Sequence, residues 1–245
     1  MPPATPRASI GPLAPTSSWT CVYDAWNRLV EVQTDDGTPK TVAVYEYDGL
    51  NRRVKAHIDT DAPAGPDDSI DLYRHFYYNS DWQLLETRDA TSQQGENTAP
   101  DTLYPDQQFV WSQRYIDAPV LRDEKGDSDD ICNGDPDTGD EGDSRVYYCN
   151  DANMNVTALL GYDDGNSYWE VVERYVYAPY GGTRVYDANY SSQVSWANSQ
   201  ENRIRYAGYY QDAETDLYHV RNRMYHPYLG RWLQRDQIGR ASCRE

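Results

Sequence analysis

A run of acidic side chains over residues 123–143 is the densest group of potential metal ligands in the chain. Hard cations such as Ca²⁺ prefer several oxygen ligands from one short loop. The candidate ligands are four carboxylates, Asp127, Asp129, Asp135 and Asp137. Their spacing differs from that of an EF-hand, because Ile131 stands where a third ligand belongs and the required glycine is absent. We therefore expect a solvated loop, with calcium binding as the weaker alternative.

The other reactive residue types show no known catalytic spacing. The four histidines form no His-Glu-x-x-His pair, and the chain contains no G-x-S-x-G elbow, P-loop or dinucleotide fingerprint. No Cys-x-x-Cys pair is present, which argues against a zinc site. Cys132 lies within the acidic run and Cys149 follows it, and the two could form a disulfide in an oxidising compartment, although free thiols fit the sequence equally well. We expect no cofactor.

The net charge of −18 excludes several partners. Nucleic acids and anionic membrane surfaces attract basic proteins, so neither is expected to bind this chain. No apolar run is long enough to span a membrane. Residues 1–19 are rich in proline and lack the apolar region of a signal peptide, so we expect a disordered lead-in.

The aromatic composition favours β-structure. The chain has 23 Tyr and 7 Trp but only 2 Phe. Tyrosine has a high β-propensity and can bury its ring while its hydroxyl stays in water. Together with scarce helical periodicity, this predicts an all-β fold with thin, half-solvated layers.

Internal repeats predict β-hairpins. Residues 23–32 align without gaps with residues 47–56, each starting with Tyr-Asp, and residues 78–87 form a weaker third copy. Shorter echoes begin at Tyr162 and Tyr177. In the second copy Val54, Ala56 and Ile58 alternate with Arg53, Lys55 and His57, which is the two-residue period of a strand.

The turn of each repeat has its own signature. Asp24 and Asp48 stand where the chain must reverse, and aspartate there can accept a hydrogen bond from the amide two residues on. Asn27 and Asn51 tolerate the left-handed conformation that such turns need. We interpret the Tyr-Asp pairs as turn and stacking residues and not as catalytic ones.

A longer motif covers residues 206–236, where short aromatic runs are separated by turns at 212–216 and 226–230. This segment resembles the core block that closes Rhs/YD-repeat proteins, G-x-x-Y-D-x-E-T-G-L-Y-x-x-R-x-R-Y-Y-D-P-x-L-G-R-F-x-x-x-D-P-x-G. The Tyr-Asp repeats resemble the YD repeats of the same family. The resemblance implies a shell built of repeated β-hairpins, of which this chain is a fragment.

The resemblance also implies candidate site residues. In self-cleaving relatives an Arg and an Asp of the core block act on a downstream peptide bond, and the matching residues here are Arg223 and Asp236. Such an aspartate can activate water, and a guanidinium can stabilise an oxyanion. His226 and Gln237 depart from the family's Asp and Pro. Five further residues are expected to shape the block: Tyr209, Tyr210, Tyr218, Gly230 and Trp232.

The sequence therefore suggests six segments. They are a lead-in (1–19), YD-repeat hairpins (20–122), the acidic loop (123–145), degenerate YD-type hairpins (146–205), the core block (206–237) and a tail (238–245). The tail departs from the family pattern and looks like translated sequencing adapter, so we exclude it from reasoning about the fold.

Two functions remain open. The first is a structural β-shell that encapsulates or presents a C-terminal effector of the same polypeptide, as in polymorphic toxins, with aspartate-dependent self-cleavage in the full-length protein. The second is a cell-surface adhesion array without cargo, which would bind a glycan or protein through surface tryptophans such as Trp82 and Trp111. Both place the protein outside the cell or on its surface, although this fragment carries no signal peptide.

Overall fold

The protein is all-β, as predicted, and its strands form two sheets. The computed structural model describes residues 7–9, 18–35, 37–61, 69–91, 104–125, 144–163, 167–194 and 201–235. Within these ranges the single helical element is a 3-10 turn at Tyr206–Gly208. No helix in the same ranges is long and apolar enough to cross a membrane.

The larger sheet has 13 strands, and its spatial order is the order of the chain. Neighbouring strands are antiparallel, so the sheet is a row of hairpins. The strands are β1 (Arg7–Ser9), β2 (Ser18–Tyr23), β3 (Leu29–Thr34), β4 (Thr41–Tyr47), β5 (Arg53–Ile58), β6 (Leu72–Tyr78), β7 (Leu84–Thr91), β8 (Gln107–Trp111), β9 (Pro119–Glu124), β10 (Ser144–Asn150), β11 (Val156–Asp163), β12 (Tyr168–Tyr177) and β13 (Thr183–Asp187).

Five tight loops share one geometry, which confirms the predicted turn chemistry. In the first, Asp24 Oδ1 accepts hydrogen bonds of 2.9 Å from the amides of Trp26 and Arg28, and Asn27 has φ 61°. The loop at Asp48 repeats these bonds. The same loop occurs at three further positions, Asn79, Asp151 and Asp187. One polar side chain thus satisfies two amides that the reversing chain leaves without partners.

Side chains at the ends of strands, next to the hairpin loops, join each hairpin to the one before it. They do so beyond the point where the backbone hydrogen bonds between the two hairpins end. The ladder of β3 and β4 stops at Glu31 and Val44, and beyond it the Tyr47 hydroxyl donates to the Leu29 carbonyl at 2.6 Å. The Tyr177 hydroxyl bonds in the same way to the Val156 carbonyl. Trp111 and Asn150 make the equivalent bonds with side-chain N–H groups. The residue before the loop therefore replaces a backbone hydrogen bond.

The strand alternation predicted for the second repeat is wrong at its first residue. Arg53 is completely buried, whereas Lys55 and His57 are only half-buried. The register of β4 and β5 shifts between Glu46 and Tyr47, next to the loop. A β-bulge there inserts one residue, and a shift of one residue moves a side chain to the opposite face.

The smaller sheet contains β14 (Tyr210–Gln211), β15 (Tyr218–Val220), β16 (Arg223–His226) and β17 (Arg231–Trp232). The turns predicted at 212–216 and 226–230 connect its outer pairs of strands. A third turn, which the residue pattern does not predict, lies between Val220 and Arg223, and Arg221 there has φ 50°.

The two sheets share one apolar core. The buried cluster combines large-sheet residues such as Val32, Phe76 and Leu159 with Leu217, which directly precedes β15, and Met224 of β16. Complete burial of side chains such as Leu217 and Met224 contributes about 1.5–3 kcal/mol each. The smaller sheet is therefore an integral part of the fold.

Candidate functional site

Arg223, one of the two predicted catalytic residues, lies on β16 beside an aromatic stack. Its guanidinium carbon is 4.0 Å from the centre of the Trp232 ring. Trp232 in turn packs edge-on against Tyr225 at 5.2 Å. Asp236, the predicted partner, lies outside the described residues. The Arg223–Asp236 pair therefore stays a prediction.

His226, which stands where the resembling family has Asp, is completely buried. Its Nδ1 accepts hydrogen bonds from the amides of Tyr228 (3.2 Å) and Leu229 (3.3 Å). Burial lowers the pKa of His226 to about 4, so the imidazole is neutral at physiological pH. It supplies the acceptor that an aspartate would supply to this turn, but it carries no negative charge.

Gly230 closes that turn for two physical reasons. Its φ is 61°, a conformation that costs little only for glycine. A Cβ atom at this position would lie 2.8 Å from the ring of Tyr180, which belongs to the β12–β13 loop. The absence of a side chain therefore allows the small sheet to touch the last hairpin.

The three predicted tyrosines occupy different environments. Tyr218 is completely buried, and its hydroxyl lies 2.7 Å from Thr183 Oγ1 and donates to the Gly181 carbonyl at 3.1 Å. Tyr210 accepts a hydrogen bond from Arg74 at 3.2 Å. Tyr209 is half-buried. Burial raises the pKa of Tyr218 and, to a lesser extent, that of Tyr209, so both phenols are neutral.

The principal ion pair of the block was not predicted. Arg53 donates two hydrogen bonds, of 2.7 and 2.6 Å, to the carboxylate of Asp212, and both side chains are buried. The guanidinium also lies 4.8 Å from the ring centres of Tyr45 and Phe76. Burial alone would lower the pKa of Arg53, but Asp212 raises it well above its usual value. The arginine is thus a fixed charge between β5 and the block.

The segment around Asp212 makes a second buried contact with the large sheet. The Tyr45 hydroxyl donates to Glu214 Oε1 at 3.3 Å. Burial and the neighbouring charge of Asp212 raise the pKa of Glu214. The Asp-x-Glu part of the motif is therefore explained by two side-chain contacts to successive strands, β4 and β5.

A cavity of about 470 Å³ lies next to this segment, and its lining is mainly acidic. On its wall the buried Arg74 forms an ion pair with the half-buried Asp89. Burial, together with the charge of Asp89, raises the pKa of Asp106 to about 6. Burial also raises the pKa of Asp216 to about 6. The carboxyl groups of Asp106 and Asp216 therefore take up protons in mildly acidic solution and lose their negative charge.

Trp82 and Trp111, which the sequence analysis places at the surface, are partly buried and therefore less exposed than predicted. Trp82 has φ 68°, and Trp111 donates its indole N–H to the Leu84 carbonyl at 2.6 Å. Both line an open groove between two hairpin loops. More exposed tryptophans lie elsewhere, with Trp26 at 73%.

The candidate calcium site and the candidate disulfide between Cys132 and Cys149 both involve residues of the acidic run that the structure does not describe. Its four candidate calcium ligands and Cys132 lie outside the described residues. Cys149 is a free, half-buried thiol. Among the described residues, no group of three or more His, Cys, Asp or Glu side chains could hold a metal ion.

Comparisons with known proteins give a likeness in fold only. No family model and no curated protein matches the chain. Similar solved structures include TcdB2-TccC3 without its hypervariable C-terminal region (15% identity, TM-score 0.32) and TcdB2-TccC3-Cdc42 (14%, 0.32). A third is the Photorhabdus luminescens Tc holotoxin pore with a TccC3 mutation (15%, 0.31). Each match covers 91% of this chain but 16% of the other chain. At this TM-score the likeness supports no assignment of function.

Proposed function

We propose that this chain is the closing part of an Rhs/YD-repeat β-shell, in which residues 206–237 act as a plug. The observation that carries this proposal is that the block bonds to hairpins along the whole length of the large sheet. It contacts the first hairpin through Tyr23 and Leu233 (3.4 Å) and the second through Arg53 and Asp212. It contacts later hairpins through Asp117 with Arg221 (2.7 Å), Asn155 with Ala207 (2.9 Å), and Thr183 with Tyr218.

Such a plug would hold the outgoing chain in a fixed place. In this proposal a C-terminal effector of the same polypeptide follows the block and is enclosed or presented by the shell, as in polymorphic toxins. Asp236 would activate water for cleavage of the linker, and Arg223 would stabilise the oxyanion that forms. Because His226 replaces the aspartate of the family motif, positions 226 and 236 would not form a pair of carboxylates that share a proton.

The test is to express the chain with its natural continuation beyond Gln237 and measure the intact mass. We expect two fragments that remain associated in size-exclusion chromatography. The Asp236→Asn variant should stay uncleaved with an unchanged circular dichroism spectrum, whereas the exposed Asp81→Asn control should cleave normally. Normal cleavage of the Asp236→Asn variant would reject the catalytic assignment.

The second candidate, an adhesion array without cargo, makes opposite predictions for the same experiment. The continuation would return to YD hairpins, and no cleavage would occur with or without Asp236. Arg223 would then have no catalytic role and would pack against Trp232. Secretion or surface display is part of both proposals.

A further inference from the structure

A cavity of about 470 Å³ lies between the large sheet and the core block. Ile58, Leu72 and Glu124, of strands β5, β6 and β9, line it from the sheet. Ala213 and Asp216, in the turn between β14 and β15, line it from the block. Small-molecule sites in proteins commonly have volumes of about 300–1,000 Å³, so the cavity has room for a small ligand.

The charges on the cavity wall are predominantly negative. Among the described residues, the lining contains two arginines, Arg74 and Arg203, and Arg74 already donates two hydrogen bonds to the carboxylate of Asp89. Six carboxylates line the same cavity: Asp89, Asp106, Glu124, Glu201, Glu214 and Asp216. This excess of carboxylates favours a ligand with positive charge.

Two of the six carboxylates have no partner among the described residues. The side chains of Asp106 and Asp216 make no hydrogen bond or ion pair with them, whereas Glu124, for example, pairs with Arg122 at 2.7 Å. The Asp216 carboxyl group is almost completely enclosed by protein. Buried polar groups normally have a partner, because leaving one without a partner costs free energy. An unpartnered carboxyl group on a cavity wall therefore points to a ligand in the cavity.

We propose that this cavity binds a linear aliphatic diamine or polyamine, with one ammonium group on Asp106 and another on Asp216. Each ammonium group can donate three hydrogen bonds, and the methylene groups between them can pack on the apolar side chains of Ile58 and Leu72. A metal ion fits less well, because among the described residues no three His, Cys, Asp or Glu side chains lie close enough together to hold one. A flexible diamine can reach two carboxylates that do not converge.

Asp216 is a departure from the motif that the core block resembles. The motif has glycine between its Thr and Leu, whereas this chain has Asp216 between Thr215 and Leu217. The φ of Asp216 is 58°, a conformation that glycine adopts at lower cost than other residues. The aspartate therefore gives the backbone of the turn no advantage, but it adds a carboxylate to the cavity.

The carboxyl groups of Asp106 and Asp216 are both sensitive to a nearby cation. Burial is the main cause that raises the pKa of each to about 6. The charged groups that act on Asp106 are Asp89 and Glu124, which raise its pKa, and Arg74 and Arg203, which lower it, and Arg205 lowers the pKa of Asp216. Glu201 and Glu214 are the other charged groups of the described wall.

Binding of a diamine should therefore release protons. With a pKa of about 6, each of the two carboxyl groups is about half protonated at pH 6. An ammonium group beside a carboxylate favours its ionised form. The bound ligand should drive both groups to the ionised form, which releases about one proton per ligand at pH 6.

The experiment is isothermal titration calorimetry of the whole chain with putrescine, cadaverine and spermidine, in about 0.15 M salt to screen exposed charges. We expect at least one of these amines to bind at pH 7.5 and to bind more weakly at pH 5. Titrations at pH 6 in two buffers of different ionisation enthalpy measure the protons released. Binding to exposed carboxylates would release none, because they are already ionised at this pH.

Two variants test the assigned residues. Asp216→Gly installs the glycine of the motif and suits the positive φ, so its melting temperature should stay the same or rise. Asp106→Asn keeps the size of the side chain. Each variant should raise the dissociation constant about tenfold and reduce the proton release to about half a proton, because one charge-assisted hydrogen-bonded pair is lost.

The matched control is Asp81→Asn, an exposed aspartate away from the cavity, which should bind like the wild type. Butylamine, which has one ammonium group, should bind about tenfold more weakly than putrescine. Absence of binding by all three amines would overturn the proposal, as would binding without proton release, equal binding by Asp216→Gly and Asp106→Asn, or equally tight binding of butylamine. None of these results depends on whether the chain closes a shell.

Discussion

The Asp212→Asn substitution tests how the block is fastened to the hairpins. In the native protein the Arg53 side chain is completely buried and that of Asp212 is 3% exposed. The substitution keeps the size of the side chain but removes the carboxylate that, among the described residues, accepts the hydrogen bonds of Arg53. A charged guanidinium is then left among Tyr45, Phe76 and Tyr210, away from water.

Removing one partner of a buried ion pair destabilises a protein by about 3–5 kcal/mol. The pair of Arg52 and Asp48 is less buried, since the side chains retain 25% and 22% of their accessible surface, and surface pairs of this kind contribute only about 0–1 kcal/mol. The first repeat carries Leu29 where the second carries Arg53. Arg53→Leu therefore suits the strand, but it leaves Asp212 buried without its cation. Removing both charges should cost less than removing either one.

The assay is urea unfolding of four proteins: wild type, Asp212→Asn, Arg53→Leu and the double variant, with Arg52→Gln as the control. We expect both single variants to lose about 3–5 kcal/mol and the double variant to recover part of that loss. If Asp212→Asn lost no more stability than Arg52→Gln, or if the single losses simply added in the double variant, the reasoning would be refuted.

Three further substitutions test other contacts. Tyr47→Phe removes one hydrogen bond between hairpins and should cost about 0.5–1.5 kcal/mol in urea unfolding. Gly230→Ala should cost about 1–3 kcal/mol because of its positive φ and the clash with Tyr180, whereas Gly37→Ala, which has a positive φ but open space, should cost less. Because the pKa of Asp106 is raised to about 6, its stabilising contribution is fully present below its unfolded pKa of about 3.9 and is lost as the pH rises through 6. The melting temperature should therefore be higher at pH 5 than at pH 7.5, and less so in Asp106→Asn; an equal pH dependence in that variant would contradict the assignment.

The sequence predicted the hairpins well because their turns are local. The Asp or Asn side chain bonds to amides two and four residues away, so the signal lies within five consecutive positions. The loop at Asp187 was missed although Tyr186 precedes it, because among the described residues only an isolated bridge between Tyr186 and Gln193 follows it. The loop at Asp151 has Asn150 in place of tyrosine. The side-chain amide of Asn150 donates the hydrogen bond to the previous hairpin that a tyrosine hydroxyl donates elsewhere.

The Arg53–Asp212 pair was harder to predict because its partners lie 159 residues apart. One signal was present in the aligned repeats. Leu29 and Leu84 occupy the same position in the first and third copies and are buried, so a charged residue there in the second copy requires a buried counter-ion. The strand alternation instead placed Arg53 on the same face as Lys55 and His57. A two-residue period cannot reveal the β-bulge beside each loop, which moves the first residue of the strand to the other face.

The preference for tyrosine over phenylalanine has a different cause from the one expected. The composition suggested rings at the edge of the core with hydroxyls in water, but several hydroxyls bond to backbone carbonyls instead. Those of Tyr47 and Tyr177 bond to the preceding hairpin, and that of Tyr225 bonds to the carbonyl of Tyr180 at 3.0 Å. A phenylalanine could fill the same space, but it would leave a carbonyl without a donor where the backbone ladder has ended. Tyrosine supplies this bond at two of the junctions between hairpins, and Trp111 and Asn150 supply it at two others, so what the junction needs is a side-chain donor that also fills the space of a ring or an amide.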